Sequence, residues 1–271
     1  MRDMSLRMRL GLVFTGLMLL GVLFSMMLTE WHWASALAVV AVVALTMGLG
    51  YINGLLITRV KLPPFIVTLC GFLFYRGLAR YVTNDETKGF GNAEGFETLK
   101  NLATGSLFGI PMPFVLLIVI SIIMWVVIHR SVYGRYLFAV GRNEEAARYS
   151  GINTNWIITS AYILCGALTG IAGILIAFYT NSISPSSHAN SYELYGIAAA
   201  VLGGCSLRGG EGSIVGILLG TALLQVLQNL VNLLGIPSSL NFSVMGVVIL
   251  IGVIADQILK QRAARAPKVA A

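Results

Sequence analysis

Long apolar runs set apart by short polar breaks lay out this chain: Leu10 to Leu28, Ala34 to Thr58, Phe65 to Val82, Pro113 to Ile128, Ile157 to Tyr179, Ile214 to Leu234 and Phe242 to Leu259. At about 1.5 Å of rise per residue, runs of roughly 20 residues cross a hydrocarbon core of about 30 Å. Tyr192 to Leu202 has the same apolar character but covers only about eleven residues, short for a span. A segment that short fits a broken or re-entrant piece enclosed by protein, because backbone polar groups cannot be left facing lipid. The pattern predicts an all-α fold, a polytopic helical bundle of about eight membrane segments forming one domain over residues 1–271.

The breaks carry the turn chemistry. Arg59-Val60-Lys61 is followed by Pro63-Pro64, and Gly235-Ile236-Pro237 joins the last two runs. Residues 84–112 hold Asp85, Glu86, Lys88, Glu94, Glu97 and Lys100 among glycines and asparagines, as an outer loop would. Gly166, Gly170 and Gly173 share one side of a helix and predict close helix packing there. A cleaved leader is disfavoured: the small-residue site Ala34-Ser35-Ala36 lies beyond Glu30-Trp31-His32-Trp33, and another apolar run follows at once. Trp31 and Trp33 suit a membrane interface instead.

One long polar run, residues 134–156, interrupts the apolar plan. Within it Asn143 is placed to cap a helix over Glu144 to Ser150, because its side-chain oxygen can accept from a first-turn amide. Glu144 and Glu145 then lie where the helix dipole favours negative charge, with Arg148 nearer the other end. Gly151 supplies the left-handed residue that stops the helix. A short capped helix between spans must lie at the membrane surface, and it predicts a docking loop, residues 130–156, that presents a face to a partner protein.

Composition changes the picture in two ways. Hydrophobic residues make up 57% and charged residues 11%, against about a quarter charged in soluble domains. With a mean hydropathy of +0.83 this is an integral membrane protein. The net charge of +7 reflects sidedness rather than nucleic acid, since no basic patch with interleaved aromatics occurs. With a cytoplasmic start and eight crossings, all 18 basic residues fall on the inner side except Arg76, Arg80, Lys88 and Lys100. That asymmetry follows the positive-inside rule, and it places the 134–156 run, both termini and the basic tail 260–271 in the cytoplasm.

Candidate chemistry is sparse. The run Gly203 to Ser213 is rich in glycine but lacks the lysine of a phosphate loop, so it reads as a tight turn between closely packed segments. His32, His129 and His188 have no nucleophile elbow near them, zinc spacing is absent, and Cys70, Cys165 and Cys205 stand singly as packing residues. No metal and no cofactor is expected on this chain. Gln225, Gln228, Asn229 and Asn232 recur at spacings of three and four and form one polar stripe, suited either to a route for a hydroxylated solute or to helix-to-helix bonding. Asn53 and Tyr75 are weaker candidates of the same kind. Arg76 and Arg80 are expected to snorkel to the outer interface. Ion-coupled transport would call for buried acids, and only Glu193 and Asp256 lie near spans, both at span ends.

Two motifs together resemble the permease subunit of ribose-type ABC sugar importers. They are Gly134-Arg135 through Gly141-Arg142-Asn143 to Ala146-Ala147 and Ser150-Gly151-Ile152-Asn153, and Leu202-Gly203-Gly204-x-Ser206-Leu207-x-Gly209-Gly210-x-Gly212-Ser213. Leu233-Leu234-Gly235 and Pro64-Phe65-Ile66-Val67-Thr68-Leu69 fit the same pattern, and the likeness runs over residues 34–259. The resemblance implies a bacterial inner-membrane protein that pairs with a second permease subunit, identical or related. It implies a periplasmic sugar-binding protein outside and ABC ATPase subunits inside, docked on the helix of Glu145, Ala146 and Ala147. ATP and Mg would sit on the ATPase, whose closure would move the docking helix and tilt the spans, so the permease would be no enzyme itself.

Members of that family usually begin with further spans and a Gly-Ile-Asp-Leu-Ser type motif upstream of the second span. No such motif occurs here, so either a longer reading frame or a shortened subunit is expected. The solute stays open among a pentose, a nucleoside, a polyol and an autoinducer, and a non-transporting membrane scaffold that still docks an ATPase is the reading from another class.

Overall fold

The computed structural model describes residues 21–28, 35–89, 100–101, 103–107, 109–190, 192–206 and 209–235, with positions 240, 243, 246, 247 and 250. Its elements run from α1, the helix seen over residues 21–28, through α2 (Ser35–Thr58), α3 (Pro64–Thr83) and β1 (Lys88–Gly89). A helical turn α4 at positions 100, 101, 103 and 104 precedes the hairpin β2 (Ser106–Leu107) and β3 (Ile110–Pro111). Then come α5 (Met112–Trp125), a π-turn (Val126–Arg130), α6 (Val132–Arg142) and α7 (Glu144–Tyr149). The chain closes with α8 (Thr154–Thr180), β4 (Ser182–Ile183), α9 (Tyr192–Leu202) and α10 (Ile214–Leu233).

The helical class is as expected, and the four two-residue strands do not alter it. Among the described residues five helices are long and apolar enough to cross a membrane: Ala36–Thr58, Pro64–Thr83, Met112–Arg130, Thr154–Thr180 and Ile214–Leu233. The expected tail, the interface residues Trp31 and Trp33, and most of the expected first and last spans lie outside the described residues. The short segment is a helix of 11 residues, α9, whose length of about 17 Å is half a hydrocarbon core.

The bundle is built on α2 against α8. Glycines let the two backbones meet: Gly54 of α2 faces Thr159, and Gly166 and Gly170 of α8 face Thr46, with a Cβ on Gly170 3.3 Å from Val43 Cα. Of the glycines expected to form a packing side, Gly166 and Gly170 meet α2 in this way, and Gly173 is buried. Without water inside the bilayer, such van der Waals contact carries helix association. Val42, Ile157, Tyr162, Ile174 and Phe178 are buried in the resulting core, and Phe24 of α1 meets Phe178 edge-on at 5.7 Å.

Interhelical contacts also fix which loops share an end. The hydroxyls of Thr58 and Thr159 lie 3.3 Å apart, so the basic break Arg59-Val60-Lys61 is at the α7 end of α8. At the other end β1 pairs with β4, Lys88 opposite Ile183, and Ser25 donates to the Gly89 carbonyl at 3.0 Å. Arg76 and Arg80 make hydrogen bonds at this end. Arg76 donates to the Ser186 carbonyl at 2.7 Å, tying α3 to the segment that leads into α9. Arg80 Nε bonds Asp85 at 3.0 Å, and its guanidinium closes a second bond to the same carboxylate. Of the three cysteines Cys205 is buried as a packing residue should be, Cys165 is half-buried, and Cys70 is exposed on α3.

Candidate functional site

The polar run 134–156 is not a loop around one short helix: it is two helices in succession, followed by the start of α8. The second helix is the expected one. Asn143 accepts from the Ala146 amide at 3.0 Å, Glu144 and Glu145 occupy the first turn, and Arg148 bonds Glu144 at 3.0 Å one turn on. Gly151 has φ +83°, a left-handed stop, and the Ile152 amide closes back on the Ala147 carbonyl at 3.1 Å. Ala147 is buried, a side chain small enough to seat α7 on the bundle, while Glu144, Glu145, Arg148, Tyr149 and Ser150 are exposed.

The helix not foreseen, α6, starts at Ser131, whose hydroxyl accepts from the Gly134 amide at 3.1 Å. Its apolar side holds Val140 buried and Leu137 half-buried, while Arg135, Tyr136 and Arg142 are exposed. The signal was present in the sequence as this 3.6-residue alternation and a serine cap, and the charge density of the run obscured it. Gly134 has no room for a side chain, because a Cβ there would meet the Ile128 backbone, 2.7 Å from its Cα. The Ser160 hydroxyl donates to Tyr133 at 3.1 Å and holds α6 onto α8. Asn143, in extended conformation, ends α6 and caps α7, so one residue sets the joint between them.

The second motif folds onto the first. A Cβ on Gly141 would stand 2.5 Å from the Gly210 amide nitrogen, and one on Gly209 would stand 2.9 Å from the Gly141 carbonyl oxygen. Gly209 and Gly210 have φ of +94° and +76°, conformations that side chains rarely adopt. Arg142 and Glu211 form an ion pair across the contact at 3.6 Å. The glycines of the Gly203 to Ser213 turn permit close packing, but no local rule names the surface it packs against. Leu207 and Arg208 of that turn lie outside the described residues.

The polar stripe lies on α10, where Gln225, Asn229 and Asn232 are exposed and Gln228 is half-buried. The packed side of α10 is a different one, with Gly220 and Leu224 set against α9. Asn53 on α2 and Tyr75 on α3 are both buried. They are therefore apart from the exposed stripe in character. No group of three or more His, Cys, Asp or Glu able to hold a metal occurs among the described residues.

These features define a class: a polytopic helical membrane protein with a capped pair of surface helices seated on a glycine-rich turn. The chain belongs to the family described as branched-chain amino acid transport system / permease component, which matches residues 10–253. It is 41% identical over 206 residues to the ribose import permease protein RbsC of Bacillus subtilis (strain 168), covering 76% of this chain and 63% of that protein. Against RbsC of Escherichia coli (strain K12) it is 38% identical over 219 residues, 81% of this chain and 68% of the relative. The D-allose transport system permease protein AlsC of Escherichia coli (strain K12) is 31% identical over 213 residues, 79% and 64% of the two chains. The chain thus spans less than two-thirds of the Bacillus subtilis relative's length, at 63%. No solved structure matches it.

Proposed function

We propose that this chain is the permease subunit of an ATP-binding-cassette importer for a ribose-type monosaccharide, in the bacterial inner membrane with both termini cytoplasmic. The observation that carries the proposal is α7. It is a capped surface helix with Glu144, Glu145, Arg148 and Tyr149 exposed and Ala147 anchored in the bundle, a shape suited to a socket on a cytoplasmic ATPase. The relatives support the sugar: two are ribose import permeases and a third is a D-allose permease.

In this reading Arg135, Arg142, Asn143, Glu144, Glu145, Ala146, Arg148, Ser150 and Gly151 form the docking surface, while Gly134, Gly141 and Ala147 seat its two helices on the bundle. Arg59 and Lys61 share its end of the bundle, as a cytoplasmic face requires. ATP and Mg are bound by the partner ATPase, and no cofactor by this chain. A second permease subunit closes the translocation path, and a periplasmic binding protein delivers solute at the β1–β4 end. Gln225, Gln228, Asn229 and Asn232 line the path, because amides exposed on an apolar span are costly against lipid and suit sugar hydroxyls. Asn53 on α2 and Tyr75 on α3, both buried, are the weaker candidates for the path.

The test is ATP hydrolysis by the reconstituted complex with its ATPase and a D-ribose-loaded binding protein. Wild type should be stimulated, and Glu145→Arg and Gly151→Pro should abolish stimulation while the permease stays folded. An assembled wild-type complex with neither stimulation nor uptake would mark the chain as a membrane scaffold instead.

A further inference from the structure

The contact between Gly141 and Gly210 joins the docking helices to a part of the bundle that sequence reading did not connect with them. Three observations make it a mechanical joint. The first is its tightness: a Cβ on Gly141 would stand 3.0 Å from Gly210 Cα, and one on Gly210 would stand 2.8 Å from the Arg142 amide nitrogen. Backbone meets backbone between Gly141 and the Gly209-Gly210 pair, with the Arg142 side chain packed beside Gly210, and close-packed contacts of this kind transmit strain.

The second observation is that the turn is internally braced. The Ser206 amide donates to the Glu211 carbonyl at 3.0 Å, the Gly209 amide to the Ser206 carbonyl at 3.1 Å, and the Cys205 amide to the Ala200 carbonyl at 2.9 Å. The third is that α9 and α10, which the turn connects, are fused along glycines. A Cβ on Gly203 would stand 2.5 Å from the Gly216 carbonyl carbon, and one on Gly220 would stand 2.9 Å from the Gly203 amide nitrogen. The hairpin is packed along these glycines as one unit, and it carries the stripe of Gln225, Gln228, Asn229 and Asn232.

We propose that the turn Gly209-Gly210-Glu211, seated on Gly141 and Arg142, is the positioning element through which displacement of α6 and α7 reaches the α9–α10 hairpin. The inference rests on the importer reading above and names the element that links its docking surface to its solute path. Gly209, Gly210 and Glu211 need not touch the ATPase for this role. The ion pair of Arg142 with Glu211 sets the lateral register of the contact. Both side chains are exposed, so the glycines carry the load and the charges keep the two surfaces aligned.

The experiment measures D-ribose imported per ATP hydrolysed by the full reconstituted complex. Wild type, with stimulated hydrolysis and uptake, fixes the reference ratio. Gly210→Ala, which places a side chain into Arg142, should lower that ratio about tenfold while hydrolysis persists. Glu211→Arg, a change at an exposed site, should lower the ratio in the same direction, and the conservative Glu211→Asp should keep it near the wild-type value. An unchanged ratio in both Gly210→Ala and Glu211→Arg would overturn the inference, as would parallel loss of hydrolysis and uptake, which marks the turn as part of the ATPase contact. Wild type lacking stimulated hydrolysis overturns the importer reading itself, and this inference with it.

Discussion

Gly50 of α2 lies against the backbone of Tyr162 in α8, where a Cβ would stand 3.0 Å from the Tyr162 carbonyl carbon and 3.2 Å from Ile163 Cα. Backbone meets backbone here, within the α2–α8 pair on which the bundle is built. A side chain at Gly50 must push α2 away from α8. Overpacking of a tight core costs about 1–3 kcal/mol. Gly50→Val should therefore lower the melting temperature of the detergent-solubilised protein. Gly48→Val, two residues earlier with nothing within 4 Å, should leave it nearly unchanged. Equal effects at both positions would mean that glycine content, not the α2–α8 contact, sets stability.

Asn143 holds the joint of the docking region by accepting from the Ala146 amide. Replacing such a cap with alanine costs about 1 kcal/mol of local stability. Asn143→Ala should speed hydrogen exchange at the amides of residues 144–149 and weaken stimulation of the ATPase, and Asn143→Asp should restore both. Acceleration spread evenly through α8 would show that Asn143 supports the bundle rather than the joint.

How far the sequence reached depends on the range of the rule applied. The capped helix at Asn143 and its stop at Gly151 were legible because capping is local: the donor, the acceptor and the left-handed residue lie within a few positions of one another. The length of α9 was legible for the same reason. The α6 helix was hidden because Arg135 and Arg142 made residues 134–142 read as polar surface, although Leu137 and Val140 turn toward the core. The junction of Gly141 with Gly210 was out of reach altogether, since a glycine says that something comes close but not what. The same holds for Arg76, whose charge predicted an interface while the fold gave it the Ser186 carbonyl.

At the β1–β4 end, Asp85 should respond to acid later than an ordinary aspartate. The bonds from Arg80 hold its carboxyl below the usual value, against the smaller opposing effect of desolvation. A carboxylate whose pKa is lower folded than unfolded contributes stability that is present above the unfolded value. That contribution is lost as pH falls through the folded value. The clasp should thus be fully made at neutral pH and released only below the ordinary aspartate range near about 3.9. Asp85→Asn should remove this acid-dependent step from a melting-temperature profile while changing the neutral-pH value little, because the pair is solvent-exposed. A large neutral-pH loss would give the pair a structural weight that its exposure argues against.

The stripe on α10 makes the most direct prediction about the path. One exposed side of the helix carries Gln225, Asn229 and Asn232, and another carries Leu219, Leu223, Val226 and Leu230. Lipid accommodates the second side at no cost, while amides on the first require water, solute or another helix. Single cysteines separate these cases in a Cys70→Ala background, which removes the exposed native thiol. Gln225→Cys and Asn229→Cys should react with a water-soluble maleimide in membranes, and D-ribose supplied through the binding protein should slow the reaction. Leu219→Cys and Val226→Cys should stay unreactive. If neither side reacts in a complex that transports, the amides bond a neighbouring helix and the solute passes elsewhere. If both react alike, α10 lies outside the bilayer's apolar core and the assignment of Ile214–Leu233 as a span falls with it.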